Sequence, residues 1–410
     1  MPIAKQIKEA LASSSMIRKM FEEGLQLKKQ HGADKVFDFS LGNPDVEPPP
    51  AFHDLFVKLA NDDEKGSHGY MPNAGYPFVR EALAKKVCRE QNVKIDGSCV
   101  IMAAGAAGGL NAVFKTICNS GDEIIVSRPF FMEYRAYTAN HGAKLVEVDA
   151  LDNFDLDVAA IGKALNEKTA AVIINSPNNP TGKIYSAELL ASLSSVLSEH
   201  GKRTGRFPYL VSDEPYREIA YNVDVPPVLS CYGESIVVSS YSKSLSLPGE
   251  RIGFIAVNPN VTDRDDLVNA LIYTTRILGF VNAPALMQRI VASLTDARVD
   301  VSIYARRKDA FIKALDEAGI EYAMPEGAFY LFCKVPAAKN KEQRTENSDQ
   351  LSVSCAGDDK AFVEHLKKFL ILGVPGSGFG RAGWVRFAYC VDEKIITASG
   401  AAFKAAMGSW

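Results

Sequence analysis

Between about residues 100 and 260 the chain alternates short apolar runs with amphipathic stretches, and few architectures accept that pattern. The runs are Val100–Met102, Glu123–Val126, Lys144–Val148, Ala170–Ile174, Pro208–Val211, Ser235–Val238 and Ile252–Val257. Between several of them, as in Gly109–Cys118 and Ala187–His200, apolar residues recur at helical spacing. Buried strands that alternate with helices build a mostly parallel sheet with helices on both faces. The expectation is an α/β fold. Ligands in such sheets sit at the carboxyl ends of the strands, so the polar residues just after these runs are candidates for function.

The flanks read differently. In the first 35 or so residues, Ile17, Met20, Phe21, Leu25 and Leu27 recur at helical spacing. VFDFSLGNPDVEPPP follows, a short strand broken by proline, and the triple proline at 48–50 predicts a semi-rigid connector. Residues 51–92 read as helix apart from the turn-rich GSHGYMPNAGYP. Beyond about 265 one long helix is expected through APALMQRIVASLTDARVDVSIYARRKDAFIKALDEAG. Strands are expected at Ala328–Cys333 and Trp384–Tyr389, and the polar stretch Pro336–Asp359 reads as a loop insertion. This organisation implies a large domain over residues 48–291 and a small one made of 1–47 with 292–410.

Composition removes several classes. The chain has 410 residues, 47% of them hydrophobic and 23% charged, with net charge −3, which is ordinary for a globular protein and gives no electrostatic case for nucleic acid or an anionic membrane. No apolar run approaches the ~20 residues that span a bilayer, and the charged amphipathic start carries no signal-peptide core. Seven cysteines, odd in number and without a CxxC pair, fit thiols in a reducing compartment, so a cytoplasmic location is expected. The six histidines show no metal-ligand spacing, and no metal is expected. No GxGxxG follows the first run, which argues against a dinucleotide enzyme.

Four segments leaving the sheet are chemically dense. They are Asn175-Ser-Pro-Asn-Asn179-Pro-Thr-Gly, Ser212-Asp213-Glu-Pro-Tyr216, Ser239-Ser240-Tyr-Ser242-Lys243 running on to Pro-Gly-Glu-Arg251-Ile-Gly, and Ala103-Ala-Gly105-Ala106-Ala107-Gly-Gly. Together they bring an amide, a carboxylate, a phenol, a lysine, an arginine, hydroxyls and a glycine-rich helix start to one sheet edge. A helix start of this kind binds anions through its backbone N–H groups.

In order and spacing, NNPTG, SDEPY and SYSKSLSLPGERIG, with SLGNPD near the start and VRFA near the end, resemble the class I/II aminotransferases, fold-type I enzymes that depend on pyridoxal 5'-phosphate. The resemblance covers nearly the whole chain. It implies a large domain with a mostly parallel seven-stranded sheet sandwiched by helices, plus a smaller α+β domain. It also implies that Lys243 holds the cofactor aldehyde and later carries a proton. Asp213 would keep the ring nitrogen protonated, while Tyr216 and Asn179 reach the phenolic oxygen. Gly105, Ala106, Ala107, Ser240, Ser242 and Arg251 would cradle the phosphate, although this loop lacks the Ser or Thr found in many relatives. Phe131 would stack on the ring. Arg386 would fork the substrate α-carboxylate, with Gly42 and Ile17 lining the substrate and GSGFG at 376–380 shaping the entrance.

The same resemblance implies a homodimer with shared active sites, in which Tyr70 reaches the phosphate of the neighbouring subunit. Arg276 lies close to where aspartate-specific relatives carry a cross-subunit arginine for the side-chain carboxylate. Arg128 and Arg135 are further cationic candidates without a motif. Substrates would be an amino acid, aspartate first, and a 2-oxo acid such as 2-oxoglutarate. The same cofactor residues would also serve a lyase or ring-forming synthase of this fold, or an aminotransferase for aromatic or neutral amino acids.

Overall fold

The computed structural model describes residues 3–5, 7–8, 11, 15–62, 65–338 and 357–410. The expectation for the Ile17 side chain, and most of the insertion read at 336–359, lie outside the described residues. The chain enters through a helix, Ser15–His31, and a short strand, β1 (Phe37–Asp38).

All seven apolar runs form strands: β2 (Val100–Ala103), β3 (Glu123–Arg128), β4 (Lys144–Asp149), β5 (Thr169–Asn175), β6 (Tyr209–Asp213), β7 (Ser235–Ser240) and β8 (Gly253–Val257). They join in one sheet of order β2-β8-β7-β6-β5-β3-β4. Only β8 runs against its neighbours, β2 and β7; the other pairings are parallel. Central β5 is buried at every position, as a strand covered on both faces must be. Edge strand β4 carries Lys144, Glu147 and Asp149 and stays partly exposed.

The two faces follow from strand alternation. Ile124, Val126, Ile173, Val211, Val238 and Ile255 pack on one side under the helix Gly105–Ile117. Ile125, Val172, Ile174 and Leu210 pack on the other, under the helix Ala187–Thr204 with Leu190, Leu193 and Leu197. Gly109 is what lets the first helix lie so close: a Cβ there would sit 2.7 Å from Val238 Cγ1 and 3.3 Å from Ile255 Cγ1.

The remaining strands are β9 (Tyr322–Ala323), β10 (Tyr330–Lys334), β11 (Ile371–Leu372), β12 (Val374–Pro375) and β13 (Trp384–Ala388). Of these, β12-β13-β10-β9 form a four-stranded antiparallel sheet, while β1 pairs in parallel with β11. That last pairing ties the segment before the large sheet to the segment after it. A second core forms here, around Phe39, Phe311, Phe387 and Phe403, with Phe39 and Phe311 ring centroids 4.6 Å apart.

Three local expectations need correction. The long helix after 283 is two, Ala285–Ala292 and Val301–Ala318, because Asp300 accepts the N–H of Ser302 at 2.9 Å and caps a new start. The triple proline is not all connector: Pro50 is the first residue of the helix Pro50–Ala60, where its missing N–H costs nothing. The strand expected from Ala328 begins at Tyr330, since Ala328 adopts a left-handed φ of 57°. Among the described residues, no helix is long and apolar enough to cross a membrane, and no group of His, Cys, Asp and Glu could hold a metal ion.

Replacing a helix-interior glycine by alanine normally stabilises by up to about 1 kcal/mol. At Gly109 the close approach to β7 and β8 reverses the sign. Gly109→Ala should destabilise by about 1–2 kcal/mol, read as a lower denaturation midpoint at unchanged slope.

Candidate active site

The carboxyl ends of β5, β6 and β7 deliver the dense segments to one cavity of about 340 Å³. Asn175, the last residue of β5, organises two of them. Its Nδ2 donates to the backbone oxygen of Asp213 at 2.8 Å, and its Oδ1 accepts the backbone N–H of Asn179 at 2.7 Å. Opposite this edge, the Ser40–Gly42 segment, Tyr330 of β10 and Arg386 of β13 close the cavity.

Lys243 sits in the helical turn Tyr241–Ser244 that follows β7. Its Nζ donates to the backbone oxygen of Gly42 at 2.6 Å. Burial pulls its pKa down to about 8; the Cys390 thiol opposes this, and the cations of Arg386 and Arg251 add to it. A lysine so placed loses its proton far more readily than a solvated one.

Asp213 ends β6 and is buried. Its Oδ2 accepts the Tyr134 hydroxyl at 2.6 Å, while Oδ1 has no partner. Burial pushes its pKa up to about 7; the Tyr134 hydrogen bond opposes this, and the neighbouring Glu214 charge reinforces it. An unpaired carboxylate oxygen at a cavity wall is costly, and it marks where a positively charged donor would be most welcome.

The phenols of Tyr216 and Tyr330 share a hydrogen bond of 2.7 Å. Burial raises both pKa values, that of Tyr330 to about 12, so both remain protonated donors near neutral pH. Arg386 donates from Nη1 to Asn179 Oδ1 at 3.0 Å and from Nη2 to the Ser40 oxygen at 2.7 Å. Its Nε is buried without a partner, and its guanidinium lies 4.6 Å from the Tyr330 ring centroid and 4.8 Å from that of Phe379.

At the far end, Ala106 and Ala107 open the helix Gly105–Ile117, whose first turn has no side-chain cap. Gly105 has φ +72°, and a Cβ there would meet Arg251 Nη2 at 2.8 Å. Only glycine admits both the backbone and the close guanidinium. Ser240, Ser242 and Arg251 line the same end, and Phe131 lines the wall. An uncapped helix start beside a fixed cation is suited to a phosphate.

Two sequence candidates are not brought to this cavity. Tyr70 is 97% exposed, and Arg276 is exposed on the helix Arg264–Ile277 beside its own Tyr273. Arg128 and Arg135 do not line it either; they pair with Asp149 at 2.7 Å and Glu147 at 2.8 Å. Sequence reasoning missed Tyr134, Tyr137 and Tyr330. The first two follow Phe131 at helical intervals in FFMEYRAY, a spacing that could have revealed them. Tyr330 reads simply as a core residue of an apolar strand.

Because the folded-state pKa of Asp213 is raised above its unfolded value, its burial lowers stability as pH rises from about 4 through about 7. Asp213→Asn should therefore stabilise the cofactor-free protein at pH 8 by on the order of 2 kcal/mol. The gain should fade toward pH 4, as read by denaturant melts across that range.

Against this geometry, the family model for aminotransferases of class I and II matches residues 34–398. A solved aminotransferase from Eubacterium rectale superposes with TM-score 0.91 and 35% identity, covering 99% of this chain and 98% of that one. The aspartate aminotransferase of Thermotoga maritima superposes with TM-score 0.84 and 25% identity, covering 99% and 100%. By sequence, the aspartate aminotransferase of Geobacillus stearothermophilus is 29% identical, over 96% of this chain and 95% of its own length. The extent and depth of these matches make the chain a member of the class I and II aminotransferases, enzymes that act as transaminases.

Proposed function

We propose that this chain binds pyridoxal 5'-phosphate and moves the amino group of an L-amino acid, aspartate first, to 2-oxoglutarate or another 2-oxo acid by a ping-pong sequence. The family is in general dependent on that cofactor. The observation that carries the reading is one cavity holding both a half-buried lysine of lowered pKa and a buried carboxylate with one unpaired oxygen. When bound, the cofactor supplies an aldehyde that takes up an amine and a ring that spreads the electron pair left at the substrate α-carbon.

The chain's own residues would do the rest. Asp213 Oδ1 accepts from the ring nitrogen and keeps it protonated, with Tyr134 steadying Oδ2. Asn179 and Tyr216 donate to the phenolic oxygen. Phe131 stacks on the ring. Ser240, Ser242, Arg251 and the N–H groups at Gly105–Ala107 hold the phosphate. Arg386 would fork the substrate carboxylate beside Gly42 and so orient the α-carbon. Lys243 would hold the cofactor through its aldehyde and, once freed, would carry a proton at the substrate α-carbon. On this reading residues 48–291 carry the cofactor, and 1–47 with 292–410 close on the substrate.

Tyr70 and Arg276, both exposed in the single chain, would complete the site of a second subunit in a homodimer. Aspartate is favoured because relatives are named aspartate aminotransferases. The apolar wall of Leu41, Phe131 and Met132 favours a second reading, an uncharged donor.

Spectra of the cofactor-loaded protein test this. L-aspartate should shift the visible band, 2-oxoglutarate should restore it, and glutamate should accumulate. Ammonia or pyruvate released without an acceptor would indicate a lyase instead. Arg276→Ala should raise KM for aspartate about tenfold or more, the size of a lost charge-assisted contact, while sparing an uncharged donor. Equal effects on both would remove aspartate as the preferred substrate.

A further inference from the structure

We propose that Phe379, on the GSGFG turn, is a positioning residue that sets Arg386 in register with the wall carrying Phe131. The proposal rests on the reading of Arg386 as the substrate carboxylate anchor. The turn Gly376–Phe379 belongs to the chain segment between β12 and β13, yet it is fastened to the large sheet's side of the cavity. The N–H of Phe130 donates to the Phe379 oxygen at 3.1 Å, and Arg135 Nη1 reaches the Gly378 oxygen at 3.4 Å. Gly380 follows at φ +84°, and a Cβ there would lie 2.9 Å from Arg128 Cδ, so the turn sits directly on the segment leaving β3. On its other side, the N–H of Ser377 donates to Asp359 Oδ2 at 2.6 Å. The turn is therefore held from both sides of the cavity.

The Phe379 ring is the part of that turn that reaches Arg386. It is fully buried and is one of two rings against the guanidinium, its centroid 4.8 Å from the guanidinium carbon and that of Tyr330 4.6 Å. Two hydrogen bonds, to Asn179 and Ser40, hold the fork at its tips. The rings limit its tilt, which hydrogen bonds at the tips leave freer. Phe130, bonded to this turn, immediately precedes Phe131 and stacks on Tyr134 at 6.3 Å, the tyrosine that donates to Asp213. The turn thus bonds Phe130, the neighbour of Phe131 that stacks on the Asp213 partner, and through Phe379 contacts Arg386.

The test separates the ring face from mere volume. Phe379→Leu fills the space without a π face. A series with one, two and three ring fluorines at position 379 keeps shape and weakens the face in steps. In Phe379→Leu, KM for the amino donor that wild type uses best should rise about tenfold, in line with loss of a buried cation–ring contact. The kcat, the visible cofactor band and the thermal midpoint should stay near wild type, and KM should climb with each added fluorine. An unchanged KM in folded Phe379→Leu, or a flat response across the fluorinated series, overturns the proposal. Loss of cofactor binding equal to the loss of substrate binding also overturns it, because the residue would then be a packing element only. A wild-type protein that takes up cofactor but moves no amino group overturns the underlying reading as well, and is distinguished by failing before any variant is compared.

Discussion

Two ionisable groups at the ends of adjacent strands, a buried carboxyl and a half-buried amine, set the terms for everything around them. Asp213 closes β6 and Lys243 follows β7, and neither is solvated as a surface group would be. Burial drives the carboxyl up to about 7 and the amine down to about 8, so both stand close to the point of exchanging a proton. A fold keeps such groups only where something offsets their desolvation. Here Tyr134 satisfies one carboxylate oxygen and Gly42 accepts from the amine, while the other carboxylate oxygen is buried without a partner.

The surrounding architecture exists to keep that pair fixed and reachable. Parallel β5 and β6 end level, Asn175 opposite Asp213, so Asn175 can tie the Asp213 loop to the Asn179 loop with a single amide. The glycines at 105 and 109 let a helix start beside Arg251 and then lie against β7. From the opposite side, β13 brings Arg386 across to Asn179. On the proposed reading, Arg386 at one end would take a carboxylate, the helix start at the other a phosphate, and Asp213 and Lys243 between them the ring and aldehyde of the cofactor.

Much of this was legible in the residues, for physical reasons. Seven apolar runs stood out because the middle of a strand buried on both faces must be apolar, as Ala170–Ile174 of β5 is. Lys243 and Asp213 stood out because charged residues at strand ends need an explanation, whereas Arg386 stood out only through the resemblance of VRFA to the class I/II aminotransferases. The break at 293–300 was hidden because Asp300 caps a helix inside a stretch whose apolar spacing continues across it. Tyr330 and Tyr134 were hidden because a hydroxyl aimed at a site has the same local sequence as one in a core. Tyr70 and Arg276 pose a different difficulty: within this chain both are exposed and neither lines the cavity.

The claim beneath the whole account is that Lys243 forms a covalent bond to a vitamin B6 aldehyde. Borohydride reduction of the purified, cofactor-loaded protein, followed by peptide mass mapping, addresses it directly. The account predicts a phosphopyridoxyl group on the peptide containing Lys243 and on no other lysine. A reduced protein with no adduct at Lys243, or with adducts spread over surface lysines alone, would contradict it.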